Sequence, residues 1–329
     1  MFYSGIFQNR ILEISIGVGT VAIVTLVTFR AFRKPKKITR IIDTMECLNK
    51  PTVHIKNRDC VEELVSQLIK GGASKLQIIS DFDHTISRVH VNNKRCDSTY
   101  GVLEHSHYIS DEYKQQTNVL FHHYHPIEVD PALSKAQKLP YMIEWYSKNL
   151  DLMPISGVTK GCLKDMVTSS SICLRDGCDQ VFETLYRNNI PLLVFSAGIG
   201  DILKEVLHQE SLLYPNVKVI ANFLQYDEKD KLLGFKGNMI HTFNKNLSSV
   251  ENKDYFEQLS GRNNIILLGD SLGDLDMAEG AENVNVTLKI GYLNFNIEKS
   301  LPDYLDSYDI VLTDDQSMDV LVGLLQSIL

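Results

Sequence analysis

Five short apolar runs, rich in β-branched residues, punctuate the chain at 76–80, 191–195, 217–221, 265–268 and 309–312. Each stops at a polar or glycine-containing turn. None alternates as a half-buried strand would, so each predicts a strand covered on both faces. Helical spacing follows the second and fourth runs, at 201–209 and 275–281. Strands alternating with helices predict an α/β fold built on a doubly wound parallel sheet.

About a hundred residues separate the first run from the second, too many for an ordinary crossover. The interval has helical spacing at 111–123, 136–148 and 163–186. It predicts a mainly helical cap inserted at the C-terminal edge of the first strand, the edge where such sheets bind ligands. The expected division is a catalytic core from 38–88 and 187–329, a cap from 89–186, and a separate N-terminal segment, 1–37.

Residues 14–29 carry no charge, and Arg30, Arg33, Lys34, Lys36, Lys37 and Arg40 follow at once. This pattern predicts a transmembrane anchor over 11–32 with its basic flank, and therefore the catalytic body, on the cytoplasmic side. Sixteen helical residues reach only about 24 Å against a hydrocarbon core of roughly 30 Å. A buried or interfacial helix is the alternative. The charge order, apolar run first and basic residues after, is opposite to that of a cleaved signal peptide.

The chain has 329 residues, 44% hydrophobic and 22% charged, which suits a globular protein of about two domains. Its net charge of −8 is unevenly spread. Of 33 Lys/Arg and 41 Asp/Glu, seven bases and one acid lie in residues 1–40, leaving the remainder near −14. Such an acidic body repels a nucleic-acid backbone, whereas a small phosphorylated ligand needs only local positive groups. Six scattered cysteines without a C-x-x-C pair fit a reducing compartment.

The candidate chemistry sits where the strands end. Asp81 and Asp83 follow the first strand two residues apart, with Thr85 beyond them, and two carboxylates forced together call for a cation. Asp270 and Asp274 follow the fourth strand, and neighbouring strands would bring them to the same ion. Oxygen donors without Cys or His suit Mg²⁺ better than zinc. Ser196 and Ala197 end the second strand where a helix opens, a place for phosphoryl oxygens. A lysine is needed to offset charge, and Lys236 and Lys245 both lie in the right interval, with Lys245 the better placed. His105, His107, His122, His123 and His125 do not share one helical face, so they are expected on a solvated cap surface rather than around zinc.

In this order, Asp-x-Asp-x-Thr, a strand-terminal Ser, a Lys and Gly-Asp-Ser-x-x-x-Asp resemble the four motifs of the haloacid dehalogenase (HAD) superfamily. Longer stretches, among them 127–131, 141–146, 195–201, 234–237, 243–245 and 288–294, are similar to the cytosolic 5'-nucleotidase III, or pyrimidine 5'-nucleotidase, family from about Lys37 onward. The resemblance implies hydrolysis of nucleoside 5'-monophosphates such as CMP, UMP or 7-methyl-GMP. It implies Asp81 as nucleophile, Asp83 as acid and base, and Asp81, the Asp83 carbonyl and Asp270 as Mg²⁺ ligands. Ser196, Ala197 and Lys245 would hold the phosphate and Glu128 the nucleotide, with Thr85 and Asp274 in support.

One position departs from the family pattern. Asn149 stands where the pyrimidine-type pattern has a nucleotide-contacting serine, so base preference does not carry over. Tyr100 is a candidate to stack on a cationic methylated purine. The rival readings are a phosphatase for another phosphomonoester, a nucleoside phosphotransferase, and a membrane-tethered scaffold without catalysis.

Overall fold

A computed structural model describes residues 40–329, apart from 129, 131, 242–243, 247–258, 260 and 282. Its strands, in chain order, are β1 (Val53–His54), β2 (Leu76–Ser80), β3 (His90–Val91), β4 (Lys94–Arg95), β5 (Leu192–Ile199), β6 (Val217–Asn222), β7 (Leu224–Tyr226), β8 (Leu232–Phe235), β9 (Asn264–Gly269), β10 (Val286–Leu293) and β11 (Ile310–Thr313). Its helices are α1 (Ile41–Thr44), α2 (Arg58–Gly71), α3 (Thr99–Glu104), α4 (Asp111–Glu128), α5 (Lys135–Leu152), α6 (Leu163–Ser169), α7 (Cys178–Arg187), α8 (Gly200–Gln209), α9 (Ile297–Ser307) and α10 (Asp319–Ile328).

Seven strands form the central sheet in the order β1-β11-β10-β9-β2-β5-β6. All neighbours pair in parallel except β1, which joins β11 antiparallel at the edge. The expected α/β fold is therefore present. Every residue of β2 and of β9 is buried, because successive side chains point to opposite faces and both faces are covered. Ile78, Val194 and Ile266 join one hydrophobic cluster, with α2, α7, α8 and α10. Their chain neighbours Ile79, Leu193 and Leu267 join a second, with Met277, Tyr308 and the inner side of α9. These two layers hold the C-terminal ends of β2, β5 and β9 side by side.

The five predicted strands appear within four residues of their expected limits, but β10 was not anticipated. Its run Val-Thr-Leu-Lys-Ile-Gly-Tyr-Leu is broken by Lys289 and Gly291. Gly291 is needed for packing, since a Cβ there would lie 2.7 Å from the Tyr308 ring. The helix expected over 275–281 is instead a 3-10 helix, Leu272–Ala278. The helix expected over 163–186 is two helices, α6 and α7, and the break between them carries Arg175 into the core.

The transmembrane expectation is withdrawn. Among the described residues no helix is long and apolar enough to cross a membrane. The segment 11–32 itself lies outside the described residues.

Candidate active site

β2 delivers Asp81 into the centre of the sheet's C-terminal edge, where its backbone N–H continues the ladder to the Leu268 carbonyl at 3.0 Å. Its Oδ1 accepts a hydrogen bond from Lys245 Nζ at 2.5 Å, and the same ammonium donates to Asp274 Oδ1 at 2.6 Å. Asp81, Lys245 and Asp274 are only 5%, 3% and 2% exposed. Asp81 Oδ2 is buried and, among the described residues, accepts no hydrogen bond. Burial pushes the Asp81 carboxyl up to about 7, against the pull of Lys245 and with reinforcement from Asp274 and Asp83. Burial opposes the Lys245 charge, but Asp274 and Asp81 outweigh it and raise its pKa above the ordinary lysine value.

Asp274 is committed to holding this geometry. Its Oδ2 accepts from the Asp270 and Ser271 backbone N–H groups at 3.1 and 2.9 Å and from the Ser271 hydroxyl at 2.9 Å. A Cβ at Gly269 would sit 2.4 Å from Asp274 Cβ, so glycine is what admits this carboxylate beneath the turn. Carboxylate oxygens of Asp81, Asp270 and Asp274 lie within 4.8 Å of one another. Burial, then Asp81 and Asp274, raise the Asp270 carboxyl well above its usual range. Three carboxylates against one ammonium leave an excess of two negative charges, and Asp81 retains an unbonded oxygen. The all-oxygen set fits a hard divalent cation.

Asp83 faces the start of α3. Its Oδ1 accepts from the Thr99 N–H at 2.8 Å and its Oδ2 from the Thr99 hydroxyl at 2.6 Å. The Thr99 oxygen in turn accepts from the Ile199 N–H at 3.1 Å, tying the carboxylate to β5. Burial raises the Asp83 pKa, with the Thr99 hydrogen bonds pulling the other way. A Cβ at Gly198 would come within 2.2 Å of the Thr99 hydroxyl and 2.5 Å of Asp83 Oδ2, so this contact requires glycine.

Ser196 is buried at the end of β5, where its Oγ accepts from the Gly198 N–H at 2.9 Å. The Ala197 carbonyl accepts from Asn222 Nδ2 at 2.8 Å. Asn222 also exchanges two hydrogen bonds with the Ile240 backbone, which fastens the segment leading to Lys245. Thr85 is wholly buried beneath the loop. These groups open on one cavity of about 890 Å³ lined by Asp81, Asp83, Ser196, Ala197, Lys245, Asp270 and Asp274.

On its far side the cavity meets Tyr100, His125, Glu128 and Tyr146. Burial raises the Glu128 carboxyl, opposed by His125 and Lys138. Asn149 is not among the lining residues, and its amide donates to the Trp145 carbonyl one turn back at 3.1 Å. The expected site residues thus converge on one cavity, apart from Thr85 beneath it and Asn149 outside its lining. Lys236 is exposed and does not line the cavity.

The family model of pyrimidine 5'-nucleotidase (UMPH-1) matches residues 84–329. The 7-methylguanosine phosphate-specific 5'-nucleotidase of Homo sapiens is 47% identical over 287 residues, 87% of this chain and 96% of the relative. This chain belongs to the pyrimidine 5'-nucleotidase family. The enzyme of the same description from Drosophila melanogaster is 40% identical over 272 residues, 81% of this chain and 85% of the other. Among solved structures, cytosolic 5'-nucleotidase IIIB bound to cytidine superposes with a TM-score of 0.79 at 36% identity, covering 87% of this chain and 97% of that one. A HAD family hydrolase from Salmonella enterica, 14% identical with a TM-score of 0.51, shares the fold. The nucleotidase family places this chain among phosphoric monoester hydrolases with the HAD fold and a cap.

Three residues that shape the site were not anticipated. Thr99 has a weak sequence signal, since Ser98-Thr99 can start a helix. Asn222 ends a predicted strand with a polar residue, as Asp81, Ser196 and Asp270 do, and could have been found that way. Arg175 could not. Its guanidinium donates to the carbonyls of Thr85 at 2.7 Å, His84 at 2.6 Å and Asp315, and to Asn294 Oδ1 at 3.1 Å. It fixes the loop beyond Asp83 from a turn remote in sequence.

Proposed function

We propose that the chain hydrolyses nucleoside 5'-monophosphates, with CMP, UMP and 7-methyl-GMP as candidate substrates, through an aspartyl phosphate on Asp81. The observation that carries this reading is the buried Asp81, with one oxygen held by Lys245 and the other without a partner among the described residues. A carboxylate so placed has its direction fixed and its charge partly offset, which suits a nucleophile.

Asp81 attacks phosphorus in line with the 5'-oxygen. Asp83, whose raised pKa favours the protonated form, donates its proton to that oxygen as the bond to phosphorus breaks and the nucleoside leaves. Asp83 is then a carboxylate and takes a proton from water as it attacks the aspartyl phosphate. Inorganic phosphate departs and Asp81 is restored. Lys245 offsets charge on the phosphoryl oxygens, and Ser196 and Ala197 hold them. Asp81, Asp270 and the Asp83 carbonyl would bind Mg²⁺. When bound, the ion neutralises the carboxylates and draws charge from the phosphoryl group.

The cap, residues 89–186, carries Glu128 to the nucleoside side, and the core comprises 38–88 and 187–329. Relatives named as cytosolic nucleotidases support a cytoplasmic setting for the catalytic body. The test is phosphate release by the purified full-length chain from CMP, UMP, 7-methyl-GMP, AMP and a sugar phosphate, with Mg²⁺ or EDTA and with or without a nucleoside acceptor. Metal-dependent release from a nucleotide supports the proposal. Release from the sugar phosphate alone, or transfer to the acceptor in place of release, would replace it.

A further inference from the structure

The cavity that holds Asp81 is lined by five carboxyl groups and two cations, Lys245 and Arg95. Lys245 is engaged by Asp81 and Asp274. Arg95 is exposed at the mouth, and among the described residues it has no ion-pair partner. It is nevertheless held in place. Asn92 and Asn93 both take left-handed backbone conformations, φ 50° and 61°, and form the two-residue turn that twists β3 and β4 into a tight hairpin. The hairpin is fastened to the core by the His90–Asp314 contact at 2.7 Å and by the Val89 N–H donating to Gln316 Oε1 at 3.1 Å. The Arg95 guanidinium lies 5.5 Å from the centre of the Phe295 ring, itself a lining residue.

An acidic protein with an acidic cavity repels a dianionic phosphomonoester at long range. A cation free of carboxylate partners at the entrance reverses that locally. We propose that Arg95 is a phosphate-binding residue at the cavity mouth: its guanidinium receives the dianionic phosphate of the incoming substrate, and of the departing inorganic phosphate, in the cavity that also holds Asp81 and Lys245. The inference deepens the hydrolase reading and rests on it for the substrate, but not for phosphate binding. Guanidinium suits the task because its paired N–H groups match two phosphate oxygens.

The experiment has two arms. Calorimetry with Mg²⁺ and inorganic phosphate, which needs no turnover, compares wild type, Arg95→Gln, Arg95→Lys and Phe295→Leu. Steady-state kinetics with CMP at several ionic strengths compares the same proteins. For Arg95→Gln we expect the phosphate Kd and the nucleotide KM to rise about fivefold, with kcat within twofold, as for loss of one partly exposed charge contact. The salt dependence of kcat/KM should flatten, and Arg95→Lys, which keeps the charge but not the paired N–H groups, should recover part of the loss. Unchanged phosphate affinity in Arg95→Gln would overturn the proposal. So would a Phe295→Leu effect equal to that of Arg95→Gln without rescue by lysine, since packing rather than charge would then be responsible. If wild type binds phosphate through Arg95 but hydrolyses no nucleotide, the functional reading fails and this one stands.

Discussion

The two sides of the cavity are built differently. On the core side, Asp81, Lys245, Asp274 and Ser196 are buried near the C-terminal edge of the sheet, and Asp81, Lys245 and Asp274 are tied together by hydrogen bonds between separate segments of the chain. On the cap side, Glu128 and His125 are part-exposed residues of α4, and among the described residues of α5 only Met142 is buried. Val119, Phe121, Tyr141 and Ile143 on these two helices are 67%, 45%, 45% and 51% exposed. The core side has little freedom to change without unfolding. The cap side can alter its residues at small cost, which suits the part of the site that distinguishes one nucleoside from another.

If this contrast is right, the largest effects come from the core. Lys245→Met should lower kcat by about 10³-fold, in the range for removing a preorganised electrostatic group. It also leaves Asp81 and Asp274 buried without their cation, so the metal-free protein should lose about 3 kcal/mol or more in denaturant unfolding. A variant with near-normal kcat would remove the core side from the chemistry.

Thr99→Val should cost about tenfold to a hundredfold in kcat. The Thr99 hydrogen bonds favour the Asp83 carboxylate. Valine keeps the backbone N–H bond and removes the hydroxyl one, and that loss should raise the Asp83 pKa, moving the alkaline limb of the kcat profile, where the acid loses its proton, to higher pH. A limb that moves to lower pH would contradict the assigned contact.

On the cap, Glu128→Gln should raise the KM for nucleotides about tenfold while leaving turnover of a small aryl phosphate within twofold. It has a stability signature as well. Burial raises the Glu128 pKa in the folded protein, so the stability this carboxyl contributes in its protonated form is present below the unfolded value near 4.5 and lost as pH rises through the folded one. The melting temperature of Glu128→Gln relative to wild type should therefore increase from pH 4 to pH 7.

Asn149→Ser should have the smallest effect. The Asn149 amide bonds within its own helix, and a change in the CMP to 7-methyl-GMP ratio of under about threefold is expected. A larger change would place this residue against the base.

The same contrast explains what the sequence could reveal. Asp81, Ser196 and Asp270 were legible because each is a polar residue closing a mostly apolar run, and β-sheet geometry brings such ends together whatever the loops do. Lys245 was found by its interval and its motif, although Lys236 satisfied the interval equally well. β10 was missed because Gly291 answers to the Tyr308 ring and not to strand propensity. Arg175 was missed because three of its four partners are backbone carbonyls, from 84, 85 and 315, which leave no side-chain pattern. Asn149 was expected at the nucleotide because it stands where the family pattern has a nucleotide-contacting serine, and such a pattern does not say which side of α5 faces the cavity.

The central claim is that Asp81 itself carries the phosphoryl group. Wild type and Asp81→Asn would be mixed with nucleotide labelled with ³²P in the 5'-phosphate and Mg²⁺, quenched in acid within milliseconds, and digested to locate the label. The account predicts a hydroxylamine-labile label on the peptide containing Asp81, absent from Asp81→Asn, together with a loss of turnover of at least about 10³-fold in that variant. Label on another residue, or an Asp81→Asn variant that retains turnover within tenfold of wild type, would contradict it.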